Sequence, residues 1–269
     1  MVSLKRNSKG EFQEAKGVRT RQSSFYKPGQ NETFKISRSK FSNFLDCKRC
    51  FYLDRVKGLQ EPSMPGWSLN TTVDDLLKKE FDAYREKQEP HPIFKEYNLN
   101  FIPFKHEDID KWRNSLSGGI SYIDEDTNLK IQGGVDDIWY NLDTQELVVA
   151  DYKAQSTTAE VEKEYYLKSQ YHQGYKTQMD IYVYILQKMN FKVSSTSYFM
   201  VCNGVKTKDK FNSNMEFDIT LVDYETDTSW VQNKINDMKL TLDSNTIPEI
   251  TPHCENCAYI NKGSEFNNL

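Results

Sequence analysis

The stretch Ile131–Lys153, IQGGVDDIWYNLDTQELVVADYK, limits what this chain can fold into more than any other. Two runs suited to strands, Val135–Tyr140 and Leu147–Tyr152, flank the polar, turn-like segment Asn141–Glu146. The first carries Asp136 and Asp137; the second carries Asp151, with Lys153 just beyond. Successive side chains of a strand alternate between faces, so Asp151 and Lys153 project together. If the two runs pair in one sheet, Asp136 comes to the same side, and Asp137 turns to the opposite face and is the weaker candidate. Two carboxylates and an ammonium converging there make a site for a hard divalent cation and a phosphate. A D-x-K triplet alone is mostly a surface ion pair. Here a G-x-V-D pattern precedes it, and the apolar run Leu147–Ala150 ends abruptly on charge.

The surrounding elements suggest a layered α/β fold. Ser39, as an N-cap, opens a helix ending at Gly58, with Phe41, Phe44, Leu45, Phe51 and Tyr52 at helical spacing. A second helix, Leu69–Lys87, has an apolar stripe of Leu69, Val73, Leu76, Leu77, Phe81 and Tyr84. Residues Pro90–Pro103 are irregular. Strand-like runs follow at Gly119–Ile123 and Leu129–Gly133, before the pair already described. Ala159–Asn190 is helical in character and apolar on most sides in its second half. Val193–Cys202 and Met215–Val222 predict two more strands, and Thr228–Leu242 a last helix. This order predicts an α/β sandwich with a mixed sheet flanked by helices.

At 269 residues the chain suffices for one large domain, or a domain with extensions. No run of about 18 apolar residues occurs, so no membrane-spanning helix is expected. The opening MVSLKRNSKG lacks the apolar stretch of a secretory signal. A net charge of −4 does not suit a general nucleic-acid coat, but an enzyme needs only a local basic groove. The first thirty residues set Lys5, Arg6, Lys9, Lys16, Arg19, Arg21 and Lys27 against Glu11 and Glu14. Residues 1–32 are expected as a flexible basic arm, either a DNA contact or a solvated tail, and 33–269 as one domain.

Cys47-Lys48-Arg49-Cys50 and Cys254-Glu255-Asn256-Cys257 form two CxxC pairs near opposite ends of that domain. Two such pairs can ligate one metal through four thiolates if the terminal elements meet. The other reading is four unligated thiols. An odd cysteine count with two CxxC pairs suits metal ligation in a reducing cytoplasm better than disulfides. Cys202 reads as an ordinary buried cysteine, and His253 as an unneeded substitute ligand.

Taken in order, Gly133-Gly134-Val135-Asp136, Asp151-Tyr152-Lys153 and Gln178-Met179-Asp180-Ile181-Tyr182 resemble the PD-(D/E)XK nuclease superfamily. The pattern G-x-h-D, D-x-K, Q-x-x-x-Y is similar to its RecB-type branch, and 39–58 resembles that branch's opening helix. The resemblance spans about Ser39 to Cys257 and implies a restriction-endonuclease-like core. It implies a DNA nuclease using magnesium or manganese, acting on single strands or free ends in repair, recombination or phage or CRISPR DNA processing. Asp136, Asp151 and the Tyr152 backbone carbonyl would hold the cation, and Lys153 would position the attacking water. Gln178 and Tyr182, one turn apart, would touch the DNA strand or steady the lysine; a core aromatic is the alternative for Tyr182. Many RecB-type nucleases place a histidine where this chain has Asp74. That carboxylate can ligate a cation or simply favour the helix N-terminus. Some relatives carry a four-iron cluster on one upstream and three downstream cysteines. Here the division departs from that arrangement, two and two; the resemblance still implies an iron–sulfur cluster, with zinc as the alternative. A helicase or a CRISPR or recombination protein is the expected partner. Two other functions stay open: a catalytically silent nucleic-acid-binding or assembly module, and a structural metal-clipped subunit.

Overall fold

The computed structural model describes residues 4–64, 66 and 68–267. In chain order its elements are β1 (Phe34–Ser37), α1 (Arg38–Asp46), α2 (Lys48–Arg55), α3 (Ser68–Lys87), α4 (Pro92–Glu96), β2 (Phe101–Pro103), α5 (Ile109–Arg113), β3 (Ile120–Asp124), β4 (Leu129–Gly133), β5 (Asp137–Asn141), β6 (Glu146–Gln155), α6 (Lys163–Lys168), α7 (Gln173–Lys188), β7 (Thr196–Gly204), β8 (Phe217–Glu225), α8 (Val231–Asp243) and α9 (Glu255–Asn267). The chain divides into two compact units. One comprises 1–66, 124–129 and 232–269, and the other 67–123 and 130–231.

The larger unit is built on a five-stranded sheet of order β2-β5-β6-β7-β8. β6 and β7 run parallel, and the other neighbours are antiparallel. The parallel pair needs a crossover, which α6 and α7 supply. One face of the sheet presents Trp139, Val148, Ala150, Tyr152 and Met200 to Leu77 and Phe81 of α3. Stacking of Phe81 on Trp139, centroids 5.7 Å apart, fills that layer. The mixed α/β architecture predicted from the element order is therefore present.

Local differences from the sequence reading have physical causes. The α3 line that is buried is Leu77, Phe81 and Arg85, while Leu69 and Leu76 are exposed. Phe101–Pro103 is an edge strand, where a proline lacking an N–H is tolerated. Val135 and Asp136 precede β5: the Val135 N–H donates to the Trp112 carbonyl at 3.1 Å, outside the ladder. Gly134 permits this path, because a Cβ there would lie 2.7 Å from the Ser115 Cα. The long predicted helix of 159–190 is broken at Ser169, whose ψ of 130° is not helical, leaving short α6 and long α7. On α7, Asp180 is buried and accepts from the Tyr224 hydroxyl, the Asp227 N–H and the Trp230 indole, at 3.0–3.1 Å. That side chain ties α7 to β8 and the segment after it.

In the smaller unit the expected single helix of 39–58 is two. Cys47, with φ −157° and ψ 104°, ends α1, and its thiol caps α2 by accepting the Cys50 N–H at 3.4 Å. Ser37, not Ser39, caps α1. Gly58, at φ 75°, closes α2 as expected. Within residues 4–32, the Arg19 N–H donates to the Gly58 carbonyl at 2.8 Å. The Tyr26 hydroxyl donates to Asp243 at 2.6 Å. The segment after α8, which carries the second cysteine pair, contains α9.

Asp54 is the electrostatic centre of this unit. It is 6% exposed and pairs with Arg19 at 2.6 Å, Lys40 at 2.7 Å and Arg55 at 2.9 Å. Burial opposes its charge, but Arg55 and Lys40 prevail and lower its pKa. A carboxyl with a depressed folded pKa stabilises above its unfolded value and loses that contribution as pH falls through the folded one. Stability should therefore decline below about pH 4. Asp54→Asn should cost about 1–3 kcal/mol at neutral pH, since it strands three cations that retain some access to water. Urea melts across the acid range check this; an acid limb unchanged in Asp54→Asn would reject it.

Candidate active site

The candidate site lies in the larger unit, where β6 passes the end of β5. Asp137 pairs with Ala150, so Asp136, one residue earlier, comes level with Asp151. The Asp136 carboxylate accepts the Tyr152 N–H at 2.9 Å. Asp151 is fully buried, and its Oδ1 accepts the Gln178 side-chain amide from α7 at 2.6 Å. Its Oδ2 forms an ion pair with the Lys153 ammonium. Lys153 lies 4.7 Å over the Tyr175 ring centroid. Asp74 of α3 binds Lys78 at 2.7 Å through Oδ2, while its Oδ1 is buried without a hydrogen-bond partner.

The charges of this group are strained. Burial, joined by repulsion from Asp136 and opposed by Lys153, pushes the Asp151 carboxyl up to about 7. Burial and the Asp136 charge likewise raise Asp74. Lys153 is raised although burial opposes its charge, because Asp151 and Asp136 favour the ammonium. Three carboxylates thus share two ammoniums. A divalent cation fits this donor set, since it relieves the repulsion and gives the orphaned Asp74 oxygen a partner. The carboxylates do not close on one point. Among the described residues, the four cysteines are the set of three or more His, Cys, Asp or Glu whose ligand atoms lie within 4.8 Å of one another. An open site suits an ion that retains waters, as magnesium does.

Asp137 lies on the other side of the sheet. Its Oδ1 accepts Arg85 Nη2 at 2.6 Å and the Ile138 N–H at 2.8 Å, and its Oδ2 accepts the Tyr152 hydroxyl at 2.8 Å. The two adjacent aspartates thus do different work. Asp136 accepts the backbone N–H of Tyr152, and Asp137 accepts its hydroxyl. Tyr182 is buried on α7, one turn after Gln178.

Sequence reasoning missed three groups. Arg85 continues the Leu77–Phe81 line at four-residue spacing, and a charge on a buried line signals a buried partner. Tyr175 and Tyr166 carry no sequence pattern. Tyr166 is buried and near enough to Asp151 for that charge to raise its pKa. Its hydroxyl has no hydrogen-bond partner. His172 links the two tyrosines, with ring centroids 4.1 Å from Tyr166 and 5.2 Å from Tyr175.

In the smaller unit the four predicted cysteines do meet. Sγ–Sγ distances are 3.7 Å for Cys47–Cys257, 3.5 Å for Cys50–Cys254 and 3.5 Å for Cys50–Cys257. Burial and the adjoining sulfurs push Cys50 far up, and burial pushes Cys257 up to about 11. Cys47 is brought down to about 6 against burial by hydrogen bonds from Thr251 and the Cys50 N–H. Four such thiols cannot all ionise together without a cation.

The mixed α/β sheet, with Asp136, Asp151 and Lys153 where β6 passes the end of β5, has a layout compatible with phosphodiester hydrolysis. The sequence profile of the PD-(D/E)XK nuclease superfamily matches residues 35–261, and the chain belongs to that superfamily. No curated protein matches. Among solved structures, the chain is similar to a crystal structure named "putative exonuclease" from Eubacterium rectale. That likeness has 14% identity and a TM-score of 0.42, covering 90% of this chain and 94% of that one. No helix is long and apolar enough to cross a membrane among the described residues.

Proposed function

We propose that the protein is a divalent-cation-dependent deoxyribonuclease of the RecB-type branch. It uses magnesium or manganese and acts on single-stranded DNA or free ends, in repair, recombination or phage or CRISPR DNA processing. One observation carries this reading: buried Asp151, gripped by Gln178 and Lys153, stands level with Asp136. In it, Asp74, Asp136, Asp151 and the Tyr152 carbonyl hold the cation. A bound cation supplies Lewis-acid stabilisation of the phosphate and lowers the pKa of water. Lys153 orients the attacking water and offsets charge developing on the phosphate. Gln178 acts through Asp151, fixing which oxygen faces the cation, and Tyr182 supports the same helix from within the core. The free Tyr166 hydroxyl donates to a phosphate oxygen. On the adjoining surface, Tyr165 and Tyr171, 74% and 90% exposed, offer rings on which unpaired bases stack.

The proposed division of the chain is a basic arm, 1–32, and a nuclease domain, 33–269. Arg19 and Tyr26 tie down the arm's second half. The arm is the natural contact for DNA or for a helicase or recombination partner.

The test is cleavage of end-labelled single-stranded and duplex DNA with added magnesium or manganese, comparing wild type with Asp151→Ala. Wild type should cut, and the variant should lose at least about 10³-fold in rate, since the cation loses its central ligand. Equal behaviour of the two on every substrate ends the proposal. Salt-dependent DNA binding with no hydrolysis supports the silent-module alternative instead.

A further inference from the structure

The resemblance that pointed to a nuclease also implied an iron–sulfur cluster on the four cysteines, and their spacing argues against one. Around a single tetrahedral ion with metal–sulfur bonds of about 2.3 Å, thiolates stand about 3.8 Å apart. Three of the sulfur pairs here are 3.5, 3.5 and 3.7 Å apart, and all four sulfurs lie within 4.8 Å of one another. In a four-iron cluster each thiolate caps a different iron. The whole metal–sulfide core then separates the sulfurs, well beyond 4.8 Å. The backbone around the first pair is shaped for a thiolate as well: Cys47 leaves helical geometry so that its sulfur accepts the Cys50 N–H. His253 is exposed and stands outside the cluster.

Helix α9 shows what such an ion would do. It has 13 residues, and Cys257 is its buried residue. Tyr259 and Phe266 are exposed at 83% and 66%. A helix of this length is marginal in water by itself, and one buried thiol provides little apolar burial to hold it. Something other than packing fastens it, and the group at its buried point is the sulfur cluster.

We infer that Cys47, Cys50, Cys254 and Cys257 hold one tetrahedral metal ion of the zinc class, not an iron–sulfur cluster, and that this ion fastens α9 to α2. The closed set of four protein ligands leaves no open position, so the ion is structural. Metal binding of this kind stabilises only the folded state, and here it closes a loop of about two hundred residues.

The experiment is anaerobic purification of the full chain from cells supplied with both iron and zinc, followed by metal and acid-labile sulfide analysis. One zinc per chain, no sulfide and a colourless protein are expected. Exchange with cobalt should give the visible bands of a tetrahedral cobalt–thiolate centre. Iron and sulfide near four each per chain, with broad brown absorption, overturn the inference; so does a metal-free protein whose cysteines are paired as disulfides. Cys254→Ser/Cys257→Ser should lose the metal, while Cys202→Ala, at a buried cysteine outside the cluster, should keep it. Fastening is read on wild type without mutation. Removing the metal with a strong chelator should expose 255–267 to proteolysis, and added zinc should restore protection. If α9 stays protected without metal, the fastening role is wrong. The metal count does not depend on the nuclease reading, because Asp151→Ala should carry the same ion.

Discussion

Lys153→Met should lower DNA cleavage by about 10³-fold while leaving DNA binding nearly intact. Lys153 is a half-buried ammonium in contact with the fully buried Asp151 carboxylate, and the two project from one face of β6. In the proposed mechanism, removing it takes away the group assigned to orient the water and offset phosphate charge. It also leaves Asp151 beside Asp136 with no ammonium, so the Asp151 carboxyl rises further and binds a cation less readily at neutral pH. Stability should change less than activity, because a buried carboxyl can take up a proton when its partner is lost. Lys153→Arg should stay impaired, since a planar guanidinium cannot place its charge as a compact ammonium does. Single-turnover cleavage of end-labelled DNA, with binding measured in parallel, reads both effects. A Lys153→Met rate within a few-fold of wild type would remove Lys153 from the chemistry.

The largest loss of stability is expected at Arg85, away from the reacting groups. Arg85→Met should destabilise the fold by about 3–5 kcal/mol, the usual cost of stranding one member of a buried ion pair. The Arg85 and Asp137 side chains are 3% and 0% exposed, and Arg85 also donates to the Phe104 carbonyl at 2.9 Å. Without the guanidinium, Asp137 keeps hydrogen bonds from the Tyr152 hydroxyl and the Ile138 N–H but no ion pair in contact among the described residues. Asp137→Asn should cost less, because Arg85 keeps its ion pair with Asp82 at 3.0 Å. The double variant Arg85→Met/Asp137→Asn should cost less than the sum of the two, the mark of a coupled pair. Urea melts of the four proteins close this cycle. Additive losses would show that the pair is not coupled. Because Tyr152 stands between Asp151 and Lys153, loosening Asp137 should also blunt cleavage in the surviving folded protein.

The two predictions differ in how visible their residues are in the sequence. Asp151 and Lys153 are legible because strand alternation is local: two residues apart means one face. The same rule separates Asp136 from Asp137. Arg85 and Asp137 are 52 residues apart, and no local period connects them. The amide of Gln178 was expected on DNA or the lysine, yet it donates to Asp151, 27 residues away. Its motif marked its helix and left its partner open. Tyr166 and Tyr175 belong to no pattern, and the break at Ser169 decides where their segment lies.

By itself, the sequence determined the family, the α/β class, the carboxylate–lysine strand end and the two cysteine pairs. Each of these rests on residue types at short spacings, or on the order of such patterns along the chain. Only the tertiary structure decided which partner each buried charge has and how far apart the four sulfurs stand. Those are distances between segments remote in the chain, and the nature of the ion that four sulfurs can hold depends on such distances, not on the spelling of CxxC.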